Sequence, residues 1–305
     1  MIKDNILEKW IAVDWGTSTF RAYLVQDNKV SDTIETKDGM KFVKSHLFEQ
    51  TLLSLIDRWL DDDKITEILS SGMVGSKQGW EEAPYQQTPC NLKKLNYITP
   101  TLKDNRISLK IFSGVSQIYQ PDVMRGEETQ IAGFLNETPN FHGSICLPGT
   151  HSKWVEIRNN NIIKFKTFMT GELFEIISKN SVLIHSVEAG KIDKMELLKS
   201  VDKIFQNPEL FSNALFQLRA DDLINSKGPT IYKSRLSGYL LAIELLGSME
   251  FWKNNDIVLI GNPDLTEIYK YVLNKKVKSI KKFLSSDMVL KGLKNFKKNF
   301  NKFIK

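Results

Sequence analysis

The sequence predicts an α/β protein made of two similarly built domains, and three observations carry that prediction. A hairpin of two apolar strands around a polar, glycine-containing turn occurs twice, at residues 14–19 and 148–153. Each hairpin is followed by a third strand, helical signal and further strand signal. The length, 305 residues, suffices for two domains of about 150 each. The expected division is 1–125 and 126–305.

In the first domain, residues 10–14, 20–26 and 29–36 read as a strand meander. From Val43 to Leu60, apolar residues recur at mostly helical spacing, among them Leu52, Leu55, Ile56 and Trp59. Residues 65–70 then read as a short buried strand. Meander, helix and strand in that order open a ribonuclease-H-like α/β domain. Residues 72–108 are rich in Gly, Pro, Gln and Asn and read as a long irregular excursion, of the kind that often carries function. A strand over 109–113 and a helix over 121–135 follow.

The second cycle begins near Ser144, with strands at 145–147, 154–157 and 162–169. Residues 172–225 and 236–252 are expected to be helical. A strand at 256–260 ends on Gly261, a helix covers 265–273, and a last strand spans 280–284. Leu293, Phe296, Phe300 and Phe303 recur at spacings of three and four. With Lys291, Lys294, Lys297, Lys298, Lys302 and Lys305 interleaved, they read as an amphipathic terminal helix with a solvated basic face. The stripe is too short, and the rest of the chain too nearly neutral, to argue for nucleic-acid binding.

The chain is 41% hydrophobic and 26% charged, as globular proteins are. Cys90 and Cys146 lack CxxC spacing, which argues against a disulfide framework or a structural zinc site. No basic-then-apolar leader opens the sequence, and no apolar run approaches a membrane span. A soluble, reduced, cytoplasmic protein is expected, with no membrane partner. A homodimer stays open.

The turns carry the chemistry. Asp14-Trp15-Gly16-Thr17-Ser18-Thr19 ends a strand on an acid and passes through small and hydroxyl residues. Backbone N–H groups and hydroxyls of Gly16, Thr17 and Ser18 can hold phosphate, while Asp14 faces a magnesium ion bound to it. The second turn, Pro148-Gly149-Thr150-His151-Ser152-Lys153, offers amides, two hydroxyls and a lysine to another phosphate. No Walker A pattern is present. These features point to ATP and Mg²⁺, with Lys153 neutralising the charge that moves.

Glu127 and Glu128 open a helix, where they complement its dipole. Either can also take the proton of a substrate hydroxyl during phosphoryl transfer. Glu127, directly after Gly126, is the expected base. The run Gly72-Met73-Val74-Gly75-Ser76-Lys77-Gln78-Gly79-Trp80, with Tyr85 beyond it, offers close backbone approach, hydrogen bonds and flat faces to a sugar-like ligand. Arg21 and Lys77 are the candidates for its anionic group. Gly171 and Gly261 each follow a strand and suit nucleotide contact.

Taken together, DWGTSTFRAYL, GMVGSKQGWEEAPY, MRGEETQIAGF, LPGTHSKW, FKTFMTGELF, RLSGYLLAIEL and LIGNPDLTEIYKYVL resemble, in order and over nearly the whole length, the 2-keto-3-deoxygalactonokinases of the actin-like ATPase superfamily. The resemblance implies two ribonuclease-H-like domains with the nucleotide in an interdomain cleft. The first phosphate loop falls on 14–19, the second on 149–153 and the adenosine motif on Gly261. The connecting helices fall on 126–135 and 236–246. It implies transfer of the ATP γ-phosphate, with Mg²⁺, to the C6 hydroxyl of a keto-deoxy sugar acid. Sugar-phosphorylating relatives place an Asp where this chain has Glu127-Glu128, so the choice between the two stays open. The alternatives are a kinase of the same fold for another sugar acid or sugar, and a non-catalytic, nucleotide-gated regulatory protein.

Overall fold

The structure is a computed structural model that describes residues 9–187, 190–274 and 276–303, with side chains up to residue 299. The side chains of Phe300, Lys302 and Phe303, and the whole of Lys305, therefore lie outside the described set. The chain divides into two compact units. The first comprises residues 1–142, 157–164 and 285–305, and the second 143–156 and 165–284. Unit 1 thus takes in the helix after Gly126 and the C-terminal helix, which the expected boundary at 125/126 assigns to the second domain.

Unit 1 opens with β1 (Lys9–Trp15), β2 (Phe20–Gln26), β3 (Lys29–Thr36), α1 (Phe48–Ile56) and β4 (Thr66–Ser71). The short β5 (Gln86–Gln87), β6 (Cys90–Asn91) and β7 (Tyr97–Ile98) lie inside the stretch expected to be irregular. β8 (Ile107–Phe112), β9 (Val115–Gln117), β10 (Asp122–Met124) and α2 (Glu127–Glu137) follow. The main sheet runs β3-β2-β1-β4-β8-β7. β1 and β2 form the expected antiparallel hairpin, while β1, β4 and β8 are parallel. Its core gathers Ile11, Val13, Trp15, Phe20, Phe48, Leu52 and Ile68. The helix expected from 121 begins only at Glu127, because 122–124 pair with β9 and Gly126 turns the chain at φ 107°.

The C-terminal helix, Ser285–Phe303, buries Met288, Val289, Leu293 and Phe296, as its apolar spacing predicts. It crosses α2 closely: a Cβ at Gly292 would lie 2.1 Å from the Thr129 carbonyl oxygen, and one at Gly133 would lie 2.0 Å from that of Met288. Its basic face is not simply solvated. Lys291 pairs with Glu137 at 2.6 Å, and Lys297 pairs with Glu67, which also takes Lys110. The strand-tip residues Asn161 and Ile162 join unit 1 by pairing with Asn91 and Cys90.

Unit 2 contains β11 (Gly143–Leu147), β12 (Ser152–Arg158), β13 (Asn161–Phe168), α3 (Thr170–Asn180), α4 (Lys194–Gln206), α5 (Phe211–Asn225), α6 (Pro229–Gly247), α7 (Met249–Trp252), β14 (Asp256–Gly261), α8 (Pro263–Leu273) and β15 (Ser279–Leu284). Its strands run β15-β14-β11-β12-β13. With the short β5, β6 and β7 left out of the count, the unit 1 sheet reads 3-2-1-4-5, as the unit 2 strands do, so the repeat expected from the two hairpins is a repeat of topology. This is the actin-like, ribonuclease-H-like α/β architecture the sequence predicts. A core of Trp154, Leu197, Val201, Tyr232, Leu236, Leu241 and Trp252 joins the helices to the sheet. Among the described residues, no helix is long and apolar enough to cross a membrane.

Phe296 is 3% exposed, with its ring centroid 4.4 Å from that of Phe112. Phe296→Ala should lower the unfolding free energy by about 3–5 kcal/mol, measured by urea denaturation. A loss below about 1 kcal/mol would mean that the terminal helix is not docked as described.

Candidate active site

In a parallel sheet, ligands collect at the carboxyl ends of the strands. Asp14, the last residue but one of β1, lies there opposite Ser71 at the end of β4. The following turn is closed by Gly16 N–H donating to the Thr19 carbonyl at 2.9 Å. It is backed by Met40 and Lys41, whose N–H groups donate to the carbonyls of Gly16 and Thr17. Thr17 and Ser18 are both exposed.

Two left-handed glycines bring distant segments to this strand end. Gly72 has φ 100°, and a Cβ there would lie 2.7 Å from the Trp15 carbonyl oxygen. A Cβ at Gly126 would lie 3.4 Å from the Cα of Gly72. Only glycine combines a positive φ with so close an approach. The helix carrying Glu127 and Glu128 therefore starts beside Asp14.

Charges crowd here. The Asp14 side chain is 26% exposed: walled by protein on most sides and open on one. Burial pushes its carboxyl up to about 6; Arg21, with Nη1 3.6 Å away, opposes the rise, and the charges of Glu127 and Glu35 add to it. Arg21 gives a two-point fork to Glu35, at 3.2 and 2.7 Å, so its guanidinium is already engaged. Glu128 is fully buried. Both of its oxygens accept from Gly126 N–H, at 2.9 and 2.7 Å, and Thr129 donates to one of them at 3.1 Å. Burial, then the charge of Glu127, raises its carboxyl to about 8. Glu127 is only half-buried and accepts from the Arg125 N–H at 3.1 Å. Of the two adjacent acids, Glu127 is the one with a surface to offer a ligand.

The loop after β4 is more tightly folded than its composition suggests. Ser76 is buried, with its hydroxyl on the Met40 sulfur at 3.7 Å. Trp80, half-buried, stacks on Phe48 at 6.1 Å and meets Trp15 edge-on at 6.4 Å, so part of its ring packs on the core. Met73 is half-buried, and Lys77 and Gln78 are exposed. Tyr85, at the surface, lies over the guanidinium of the buried Arg125, 4.3 Å from ring centroid to Cζ.

In unit 2, a Cβ at Gly171 would lie 2.5 Å from the Gly149 carbonyl oxygen, so the start of α3 rests directly on the second turn. Nothing lies within 4 Å of the Cβ position of Gly149, whose backbone faces open space. His151 Nε2 meets Glu172 at 2.5 Å, and Glu172 N–H donates to the Thr150 carbonyl at 3.0 Å. Thr150 and His151 are exposed, whereas Ser152 and Lys153 are buried. The Ser152 hydroxyl turns inward to Tyr269 at 2.9 Å, leaving only its backbone to the turn. Lys153 Nζ lies 3.5 Å from the His151 carbonyl oxygen.

Beneath the turn lies a network that composition does not announce. Glu244, 1% exposed, accepts from Trp154 Nε1 and from the Tyr269 hydroxyl, each at 2.8 Å, and from the Thr170 hydroxyl. Burial raises its carboxyl, and these donors oppose the rise. The one sequence signal is a lone acid within the apolar run 239–246.

A cavity of about 720 Å³ opens in unit 2, within the size range of nucleotide and drug sites. Gly149, Thr170 and Gly171 line one part of it; Lys191, Lys194 and Lys233 supply positive charge. α6 and α8 contribute the apolar Leu240, Leu241, Leu265 and Ile268. Gly261 does not line it. That residue sits behind Pro148, where a Cβ would lie 3.4 Å from the Pro148 carbonyl oxygen, and the first turns of α8 form the wall instead. Among the described residues, no group of three or more His, Cys, Asp or Glu could hold a metal ion on its own.

The profile of the family described as 2-keto-3-deoxy-galactonokinase matches residues 14–296. A protein of Rhizobium meliloti (strain 1021), ascribed the name 2-dehydro-3-deoxygalactonokinase DgoK1, is 31% identical over 93% of this chain and 95% of its own length. The 2-dehydro-3-deoxygalactonokinase of Escherichia coli (strain K12) is 27% identical over 86% of this chain and 88% of its own. A crystal structure from Sinorhizobium meliloti, ascribed to a 2-dehydro-3-deoxygalactonokinase, superposes with a TM-score of 0.88 at 30% identity, covering 95% of this chain and 99% of that one.

The Asp14 carboxyl is harder to ionise in the fold than in the open chain, where its value is 3.8. Stability contributed by a group with a raised carboxyl pKa is lost as the pH climbs from the open-chain value through about 6. Asp14→Asn removes that loss. The variant should gain about 2–3 kcal/mol over the parent at pH 8 and little at pH 4, by denaturant titration. An equal change at both pH values would mean that Asp14 titrates as it does in an open chain.

Proposed function

The chain belongs to the 2-keto-3-deoxy-galactonokinase family, and we propose that it transfers the γ-phosphate of ATP to the C6 hydroxyl of 2-dehydro-3-deoxy-D-galactonate, in the cytoplasm. The observation that carries this reading is the meeting of Asp14 and Glu127 where β1, Gly72 and Gly126 converge. A carboxylate base beside a carboxylate suited to a metal is what alcohol phosphorylation demands.

Mg²⁺ fits the donor set, because it favours one or two carboxylates, water and phosphate oxygens over an all-protein cage. Asp14 would hold it, and the crowding by Glu127 and Glu35 is negative charge that a cation would relieve. Bound there, the ion would offset charge on the transferring phosphate.

The residues of the chain do the rest. Glu127 accepts the proton of the acceptor hydroxyl as the new oxygen–phosphorus bond forms and the γ-phosphorus parts from its bridging oxygen. Gly16, Thr17 and Ser18 present amides and hydroxyls to phosphate. Within unit 2, Gly149, Thr150 and the start of α3 form the second phosphate turn, with His151 held in place by Glu172. Lys153 adds positive charge behind that turn. The adenosine lies in the unit 2 cavity, between the apolar faces of α6 and α8. Arg21, bound to Glu35, orients Asp14 and borders the substrate, and Tyr85, Lys77 and Gln78 lie on the loop that borders it further.

A coupled ADP-release assay over a panel of keto-deoxy sugar acids and neutral sugars tests the reading. Release stimulated by the galactonate-derived acid supports it. Nucleotide binding with no stimulated release would instead mark a regulatory protein. Glu127→Gln should lower turnover by about 10²–10⁴-fold with ATP affinity kept. Near-parental turnover in that variant would remove Glu127 from the mechanism.

A further inference from the structure

Arg125 stands apart from the other arginines described. Arg21 is paired with Glu35 and Asp14, Arg106 with Asp57 and Asp104, and Arg235 with Glu196 and Asp221. Arg125 is only 7% exposed, yet its side chain has one acceptor, the Ala83 carbonyl, which takes Nη2 at 2.8 Å. Nε and Nη1 are buried with no hydrogen-bond partner. An interior guanidinium with unmet donors is costly, and folds usually satisfy one with a carboxylate.

The guanidinium is closely packed on one side: a Cβ at Gly75 would lie 3.1 Å from Nη1 and 2.8 Å from an Ile111 methyl, so the absence of a side chain there is what lets the guanidinium sit. The ring over the guanidinium belongs to Tyr85, which lies against Gly114 and is 36% exposed, so it is the side of the guanidinium that borders solvent. Glu128 is the nearby acid, but its oxygens are already taken by Gly126 and Thr129. Arg125 also stands two residues before Glu127, and its own N–H meets that carboxylate.

We propose that Arg125 binds the carboxylate of the sugar-acid substrate, which enters as the Tyr85 ring moves aside. The inference rests on the kinase reading for the class of substrate. It shifts the anionic anchor from the positions favoured by the sequence. Arg21 is saturated by Glu35, and Lys77 stands in solvent, where ion pairs are weak. A planar fork in a desolvated pocket also discriminates a carboxylate from a neutral group, which an exposed ammonium does poorly.

The test compares the keto-deoxy acid with its primary amide, using calorimetric binding and the ADP assay on the full chain. The parent should prefer the acid by about 10- to 100-fold, the usual range for losing a charge-assisted hydrogen bond. In Arg125→Gln that preference should collapse, through weaker binding of the acid, with ATP affinity unchanged. Arg125→Lys should restore part of it, which a purely structural role would not do. An acid-to-amide ratio unchanged in either folded variant overturns the proposal. Because binding is read directly, acid that binds through Arg125 without being phosphorylated would sink the kinase reading and leave this one standing.

Discussion

Electrostatic crowding at the end of β1 is the constraint on which the rest of unit 1 turns. Asp14, Glu127 and Glu128 are brought together on one side of the sheet, with Glu35 held off by Arg21. Left alone, like charges at this range destabilise the fold. Each is handled differently. Glu128 is buried and raised to about 8, so that it stays largely protonated near neutrality. Asp14 is raised to about 6 and stays open on one side. Glu127 keeps partial exposure. A cluster of like charges that costs stability marks this strand end as a candidate functional site.

Unit 2 solves a different problem, which is to hold a short turn still. Its second turn is pinned from behind by the start of α3 at Gly171 and from the side by the His151–Glu172 pair. Beneath it, Glu244 collects donors from Trp154, Thr170 and Tyr269, so that β12, α3, α6 and α8 share one buried acceptor. A fully satisfied polar network of this kind fixes orientation more than it adds stability. Here the fixed objects are the turn and the wall of the adjoining cavity.

The C-terminal helix shows how chain order and packing part company. Its apolar stripe was legible in Leu293 and Phe296, yet nothing local states that it belongs with residues 1–142. The choice is made by its glycine-mediated crossing with α2 and by Glu67, half-buried between Lys110 and Lys297, whose hydrogen bonds hold its carboxyl low against its partial burial. The division of the chain into units is therefore discontinuous, which a boundary drawn along the sequence misses.

The sequence by itself determined the fold class and the repeated hairpins, because apolar strands flanking polar, glycine-bearing turns are set by local pattern. It also determined the chemistry on offer: an acid at a strand end, glycine-bearing turns, and a carboxylate pair at a helix start. Local spacing records such things, since hairpins and helix starts are decided by neighbouring residues. Which of Glu127 and Glu128 keeps some exposure, that Trp80 packs on Phe48 and Ser152 turns inward, that Gly261 stands behind its cavity, and that Arg125 lies under Tyr85 with two of its nitrogens unmet were settled only by the tertiary structure. Those outcomes depend on what packs against each side chain from segments tens of residues away, and burial and pairing energies of that kind leave no local pattern to read.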